Sequence, residues 1–217
     1  MNDQHARLEP SELLREHPII AVLRARDAAD YDAVIDVLVE NGVHSVELTL
    51  STPNTFDHLP ALVARGGADV EIGLGTITTV GQAQRAIDAG ATYLVTPITR
   101  LDIVELAVRG GIPVFPGGLT PTELYSAWEA GATAVKIFPA ETVGPQYGSH
   151  LRGPFPQLQF VPSGGIALTD IPLWLHAGAA AVSLGGPLIG DALGGGSLAA
   201  LADRCAAAVE VAQKAIA

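Results

Sequence analysis

Short apolar runs rich in β-branched residues recur along the chain, and each precedes a polar or Gly/Pro turn and a stretch with helical periodicity. The pattern predicts a repeated strand–helix unit. The runs are almost continuously apolar, which is typical of parallel strands covered on both faces. The eight predicted strands are 19–24, 44–50, 70–76, 93–97, 113–117, 134–139, 159–163 and 181–185.

Several predicted helices end on the same signal, a glycine followed by a small or β-branched residue just before the next strand. The clearest examples are Gly42, Gly90, Gly131 and Gly178. Glycine suits the left-handed conformation that closes many helices. The glycines are spaced by about one strand–helix unit or twice that distance, which supports a repetitive α/β architecture.

Eight such units predict a (β/α)₈ TIM barrel, and 217 residues are near the lower limit for one. We therefore expect a single domain over residues 1–217, with an N-terminal helix at about 9–17 and a C-terminal helix at about 197–217. A doubly wound open sheet is the alternative. It is disfavoured because the turn at 23–27 lacks the glycines of a dinucleotide-binding fingerprint.

Composition narrows the range of partners. Apolar residues make up 48% of the chain, enough for a sizeable core, and the net charge of −11 repels nucleic acid phosphates and anionic lipids. We expect a small-molecule partner, with neither nucleic acid nor membrane. The first ten residues lack the apolar segment of a signal peptide, so we expect a cytoplasmic protein.

Cysteine and histidine usage predicts no metal. Cys205 is the only cysteine, which rules out an intrachain disulfide and argues against a cysteine-based metal site. The six histidines show no paired spacing of the kind that metal-binding helices use.

Lys136 is the most informative polar residue, because it interrupts the apolar strand 134–139. The only other lysine is Lys214, in the predicted last helix. Burial favours the neutral form of an amine, and a neutral amine adds to a ketone to form an imine. A lysine that reaches solvent or pairs with a carboxylate is the structural alternative.

Glu47 is equally out of place in the second strand. A carboxylate beside an imine-forming lysine can shuttle protons, although a purely structural ion pair with Lys136 would look the same in sequence. Glu71 lies at the beginning of its strand, away from the end where barrels hold their active sites, and we expect it to be structural.

Glycine-rich turns follow the last two predicted strands, at 162–165 and 184–186. Barrels commonly bind phosphate there through loop N–H groups, so these turns predict a phosphate site. Arg24, at the end of the first strand, is a candidate carboxylate or phosphate ligand, or else an exposed rim charge.

Four segments resemble the 2-keto-3-deoxy-6-phosphogluconate / 4-hydroxy-2-oxoglutarate aldolases. They are 42–50 (GVHSVELTL), 73–76 (GLGT), 135–140 (VKIFPA) and 162–166 (PSGGI). The likeness runs in order through nearly the whole chain. It implies a class I aldolase that cleaves a 4-hydroxy-2-keto acid, phosphorylated in many members, to pyruvate and an aldehyde.

The resemblance also implies roles for individual residues. Lys136 would form the Schiff base, so no cofactor would be needed, and Glu47 would transfer protons. Substrate contacts are expected from Arg24, Thr49, Thr76, Pro97 and Phe138, and phosphate contacts from Ser163, Gly164, Gly165, Gly185 and Gly186. Members of the family are usually homotrimers.

Two positions depart from the phosphogluconate-type pattern. Ser51 stands where those enzymes carry an arginine, and Arg24 is a candidate replacement. Pro187 stands where they carry a phosphate-binding serine, and it offers neither a hydroxyl nor an N–H group. Segments 23–24, 51–53 and 144–147 look more like the branch that acts on 2-keto-3-deoxy-6-phosphogalactonate.

Two other functions remain open at this point. One is a phosphate-binding barrel isomerase or epimerase that uses Glu47 and Lys136 as acid and base without an imine. The other is a non-catalytic barrel that binds a sugar phosphate.

Overall fold

A ring of short parallel strands forms the centre of the computed structural model, which describes residues 7–217. Strands are found at all eight predicted places, and the fifth is divided in two. The strands are β1 (Ile19–Leu23), β2 (Ser45–Thr49), β3 (Glu71–Gly75), β4 (Leu94–Val95), β5 (Val114–Phe115), β6 (Gly117–Gly118), β7 (Val135–Ile137), β8 (Phe160–Pro162) and β9 (Val182–Leu184).

The ring closes through two hydrogen-bonded sheets. One has the order β5-β4-β3-β2-β1-β9 and the other the order β6-β7-β8. Only Pro116 separates β5 from β6, and a parallel bridge between Ser163 and Ser183 joins β8 to β9. The closed ring confirms the predicted barrel and excludes the open sheet.

Pro116 divides the fifth barrel strand into β5 and β6. Proline has no N–H group to contribute to the ladder, so the hydrogen bonding is interrupted there. Its carbonyl still accepts a hydrogen bond of 2.8 Å from the backbone N–H of Lys136. The strand that carries the lysine is therefore held in register at this break.

Helices pack outside the ring and at its ends. The α-helices that the structure describes are α1 (Glu12–Glu16), α2 (Tyr31–Glu40), α3 (Thr55–Gly66), α4 (Val80–Asp88), α5 (Leu101–Arg109), α6 (Pro121–Glu129), α7 (Gln146–Arg152), α8 (Ile171–His176), α9 (Gly186–Ile189) and α10 (Leu198–Ile216). The predicted helix stops at Gly42, Gly90, Gly131 and Gly178 all have φ between +82° and +102°. Within residues 7–217, no helix is long and apolar enough to cross a bilayer.

Alternate residues of each strand point into the ring or out toward the helices. The outward residues and the helices form the main core, whereas a smaller apolar cluster fills the ring itself. Leu14 of α1 belongs to the inner cluster, together with Ile20 and Ala181 near the strand beginnings. Helix α1 therefore closes the N-terminal end of the barrel, and the opposite end remains open.

Candidate active site

A buried ion pair joins opposite parts of the ring at its open end. Lys136 comes from the middle of β7 and Glu47 from the middle of β2, and the lysine Nζ lies 3.2 Å from Oε2 and 3.4 Å from Oε1 of the glutamate. Their side chains are only 9% and 3% exposed. Each charge is compensated by the other, and removing one partner would leave an uncompensated buried charge, at a cost of about 3–5 kcal/mol.

Gly75 provides the space that the Glu47 carboxylate occupies. A Cβ atom at Gly75 would lie 2.0 Å from Oε1 of Glu47, far inside van der Waals contact. The two residues lie on neighbouring strands, with Thr49 of β2 paired to Gly75 of β3. The glycine at this position is therefore part of what positions the carboxylate.

Tyr93 lies inside the ring, in the apolar cluster that contains Leu14. Burial raises the pKa of its phenol well above the ordinary value, and the nearby charges of Glu71 and Glu47 raise it further. The phenol is therefore neutral at physiological pH. Its hydroxyl has no hydrogen-bond partner in the part of the chain that the structure describes.

All twelve site residues predicted from the sequence line one cavity of about 230 Å³ at the open end of the ring. The carboxyl ends of parallel strands meet on one face of a barrel, which explains why residues so distant in sequence come together. The residues are Arg24, Glu47, Thr49, Thr76, Pro97, Lys136, Phe138, Ser163, Gly164, Gly165, Gly185 and Gly186.

Phe138 lies at the cavity mouth and is 38% exposed, with the Lys136 Nζ 5.7 Å from its ring centre. On the same lining, Thr76 directly follows β3 and has a φ of +61°. This left-handed conformation is unfavourable for a β-branched residue and costs roughly 1–3 kcal/mol. Strain of this kind at a cavity wall is typical of a functional residue.

One side of the cavity is rich in unused hydrogen-bond donors. Within residues 7–217, the backbone N–H groups of Gly164, Gly165, Gly185 and Gly186 donate to no protein acceptor. Arg24 is exposed beside them and forms no ion pair or hydrogen bond in the same range. This side of the cavity is suited to an anion.

A second chamber of about 350 Å³ adjoins the donor-rich side and shares Arg24, Gly185 and Gly186 with it. The side chains of Ile189 and Leu193 contribute apolar lining.

Pro187 lines the main cavity, where it supplies no hydrogen-bond donor.

Three further residues of the cavity lining were not predicted: Val22, Ile166 and Ser183. Ser183 could have been found, because it interrupts an apolar strand just as Lys136 and Glu47 do. The two apolar residues carry no such signal, since they look like ordinary core positions.

A second polar pair, Glu71 and Ser45, lies inside the ring at the opposite end. Glu71 begins β3, and its carboxylate accepts a hydrogen bond from the Ser45 hydroxyl, as suits the structural role expected for it. In the part of the chain that the structure describes, no group of three or more His, Cys, Asp or Glu side chains is arranged to hold a metal ion.

Comparison with known proteins by sequence and by structure leads to one family of aldolases. A sequence model of the family described as KDPG and KHG aldolase matches residues 11–199. The 2-dehydro-3-deoxy-6-phosphogalactonate aldolase of Escherichia coli (strain K12) is 34% identical over 79% of this chain and 84% of its own length.

Two solved structures are also similar. One is described as native KDPGal, with a TM-score of 0.85 and 32% identity over 92% of this chain and 96% of its own. The other is the KDPG aldolase from Legionella pneumophila with pyruvate captured at low pH as a covalent carbinolamine intermediate. It has a TM-score of 0.83 and 27% identity over 91% of this chain and 96% of its own.

Proposed function

The chain belongs to the KDPG and KHG aldolase family and is a class I aldolase that cleaves a 4-hydroxy-2-keto acid to pyruvate and an aldehyde, and we propose that Lys136 is its Schiff-base lysine. The observation that carries this proposal is the buried contact between Lys136 and Glu47 in the lining of the open cavity. Family membership removes the isomerase and the non-catalytic barrel from consideration.

The proposed reaction begins when Glu47 takes a proton from the Lys136 ammonium group of the ion pair. The freed Nζ attacks the C2 carbonyl carbon of the substrate, and Glu47 passes that proton to the carbonyl oxygen to give a carbinolamine. Glu47 then accepts a second proton from the nitrogen and delivers it to the C2 hydroxyl, which leaves as water and generates the iminium ion. The geometry suits this shuttle, because both carboxylate oxygens lie within 3.4 Å of Nζ.

Carbon–carbon cleavage then uses the iminium ion as the electron sink. Glu47 takes the proton of the C4 hydroxyl, the C3–C4 bond breaks, and the electron pair passes into the enamine as the aldehyde departs. Protonation at C3 and hydrolysis release pyruvate and regenerate Lys136. We infer that no metal or organic cofactor takes part, since the lysine performs the role that a cofactor would have.

We assign the remaining cavity residues by the same family resemblance. Thr76 and the backbone at Pro97 would hold the pyruvyl carboxylate, with Thr49 and Phe138 beside the reacting carbons. The donor-rich side would hold the distal phosphate through Ser163, Gly164, Gly165, Gly185 and Gly186. Arg24 directly follows β1 and lines the adjoining chamber with Gly185 and Gly186, which supports a role for its positive charge at that end.

We propose 2-keto-3-deoxy-6-phosphogalactonate as the substrate. The Escherichia coli relative is named a phosphogalactonate aldolase, one similar structure is described as KDPGal, and Ser51 departs from the phosphogluconate-type arginine. Pro187 favours a second candidate, the unphosphorylated 4-hydroxy-2-oxoglutarate, because a proline in the cavity lining removes phosphate donors. The two can be separated by comparing kcat/KM for both phosphorylated epimers and the shorter acid.

Borohydride reduction in the presence of pyruvate tests the mechanism directly. We expect one reduced adduct per chain, located on Lys136 by peptide mass spectrometry and absent from Lys136→Ala. The chain provides a matched control, because Lys214 is the only other lysine and its side chain is 72% exposed. Lys214→Ala should retain the full adduct and full turnover, whereas turnover by Lys136→Ala equal to that of the unaltered enzyme would falsify the imine mechanism.

We also infer that the chain acts as one domain and assembles as a homotrimer. The ring takes strands from Ile19 through Leu184, which supports one domain, and the trimer rests on the family resemblance. Light scattering should give three times the chain mass of 22.3 kDa. A mass of one or two chains at micromolar concentration would contradict the trimer.

A further inference from the structure

Two buried serines meet at the seam where β8 and β9 close the ring. Ser163 directly follows β8 and Ser183 lies in β9, and their hydroxyl oxygens are 3.2 Å apart. The residues are 4% and 2% exposed, and both line the active-site cavity. The bridge between them is therefore part of the cavity wall as well as of the barrel.

The position of Ser163 relative to the lysine is fixed by strand register. Lys136 pairs with Val161, so Ser163 lies two residues farther along on the same face, roughly 7 Å nearer the cavity mouth. Gly164 and Gly165, with their unused N–H groups, follow it directly. Ser163 thus faces the part of a bound substrate beyond the carbons that react with Lys136.

The hydroxyl pair can change its direction of donation. A serine hydroxyl has one proton to donate and can accept two hydrogen bonds. Among residues 7–217, the contact with Ser163 is the only hydrogen bond of the Ser183 hydroxyl. If Ser163 turns its proton toward a substrate oxygen, Ser183 can donate to Ser163 instead, so both buried hydroxyls remain paired.

We propose that Ser183 is a positioning residue that orients the Ser163 hydroxyl toward an oxygen of the distal, aldehyde-forming half of the substrate. The proposal rests on the aldolase function proposed above. It predicts that Ser183 contributes to binding only through Ser163. A serine that merely joined two strands would contribute to stability alone.

A double-mutant cycle tests this coupling. For a phosphorylated 2-keto-3-deoxy sugar acid, we expect Ser183→Ala to raise KM about 3- to 10-fold, the size of one lost neutral hydrogen bond, with kcat within about twofold. In a Ser163→Ala background, adding Ser183→Ala should leave KM unchanged. Equal KM increases in both backgrounds, or no increase in either, would overturn the proposal.

Ser45→Ala is the matched control, since Ser45 is another fully buried serine inside the ring and its hydroxyl donates to Glu71 at the opposite end. It should lower Tm without changing KM. If Ser183→Ala folds poorly, Ser183→Cys retains the side-chain shape with a much weaker donor, and it should show the same KM increase. A KM equal to that of the unaltered enzyme would count against Ser183.

Pyruvate trapping separates this proposal from the one on which it rests. The pyruvate adduct forms on Lys136 and involves only the reacting half of the substrate, so Ser183→Ala should form it as fully as the unaltered enzyme. If the unaltered enzyme forms no adduct, the aldolase mechanism fails. If it forms the adduct but the cycle shows no coupling, only the role of Ser183 fails.

Discussion

In the proposed mechanism, proton transfer depends on a single carboxylate in contact with a single amine. Glu47→Gln keeps the side-chain shape but removes the base, so we expect turnover to fall by about 10²- to 10⁴-fold. The pyruvate adduct on Lys136 should still form on long incubation, because the nucleophile is intact. Quench-and-trap time courses measure both quantities. Complete loss of the adduct, as in Lys136→Ala, would contradict separate roles for the two residues.

Gly75 makes room for the carboxylate of Glu47 without contributing a functional group of its own. Gly75→Ala should displace the Glu47 carboxylate, because the new Cβ would lie 2.0 Å from Oε1, and a shift of about 1 Å can cost about 10²-fold in rate. We expect kcat to fall by at least about tenfold.

Gly81→Ala is the matched control for Gly75→Ala. A Cβ at Gly81 meets no atom within 4 Å, and the residue lies in α4. The Gly81→Ala enzyme should have unchanged activity and an equal or higher Tm, because alanine has a higher helix propensity than glycine. A full-activity Gly75→Ala enzyme would show that the carboxylate can move aside at no cost to catalysis.

At the residue scale, a polar side chain that interrupts an apolar strand is a signal that the sequence carries. This signal singles out Lys136 and Glu47, and the structure brings both into one cavity with the glycine turns. The dependence of Glu47 on Gly75 was not predictable, since it arises from a cross-strand contact that requires the register of β2 and β3. The positive φ of Thr76 could not be predicted either, because a threonine is expected to adopt an extended backbone.

At the scale of elements, α1 acts as the floor of the barrel. Leu14 is 1% exposed and packs with residues inside the ring, so Leu14→Ala should lower the free energy of unfolding by about 2–5 kcal/mol. KM and adduct formation should be unchanged, because the floor lies at the opposite end from Lys136. Leu173→Ala in α8 is the control: its side chain is 55% exposed, and the cost should be below about 0.5 kcal/mol. Urea unfolding measures both.

Strand positions and helix stops were predictable because apolar runs and left-handed glycines are local signals. Helix α1 shows the limit. The sequence indicated a helix at about 9–17, and Glu12–Glu16 lies within that range, but nothing local shows that Leu14 enters the ring. The sequence did not predict the division of the fifth strand at Pro116. The whole run is apolar, and this composition gives no sign of the missing N–H group.

At the scale of the whole molecule, the burial of Cys205 reports on global stability. The side chain is fully buried in α10, which packs against α2 and α8, and burial raises the thiol pKa to about 11. At pH 8 about one thiol in a thousand would be ionised even if a reagent could reach it. We expect maleimide labelling to be slow in the folded enzyme and complete within minutes in urea. Rapid labelling of a fully active enzyme would show that α10 opens independently of the barrel.

The long sequence separation between the two residues of the ion pair has a consequence for how the chain could be divided. Glu47 lies in the six-stranded sheet and Lys136 in the three-stranded one, 89 residues later. A cut in the turn between Gly110 and Gly111, after α5, would leave the carboxylate on one polypeptide and the amine on the other. Neither half alone could release pyruvate, so lyase activity in a mixture would measure fragment complementation, and the enzyme could serve as a split reporter of its own reassembly.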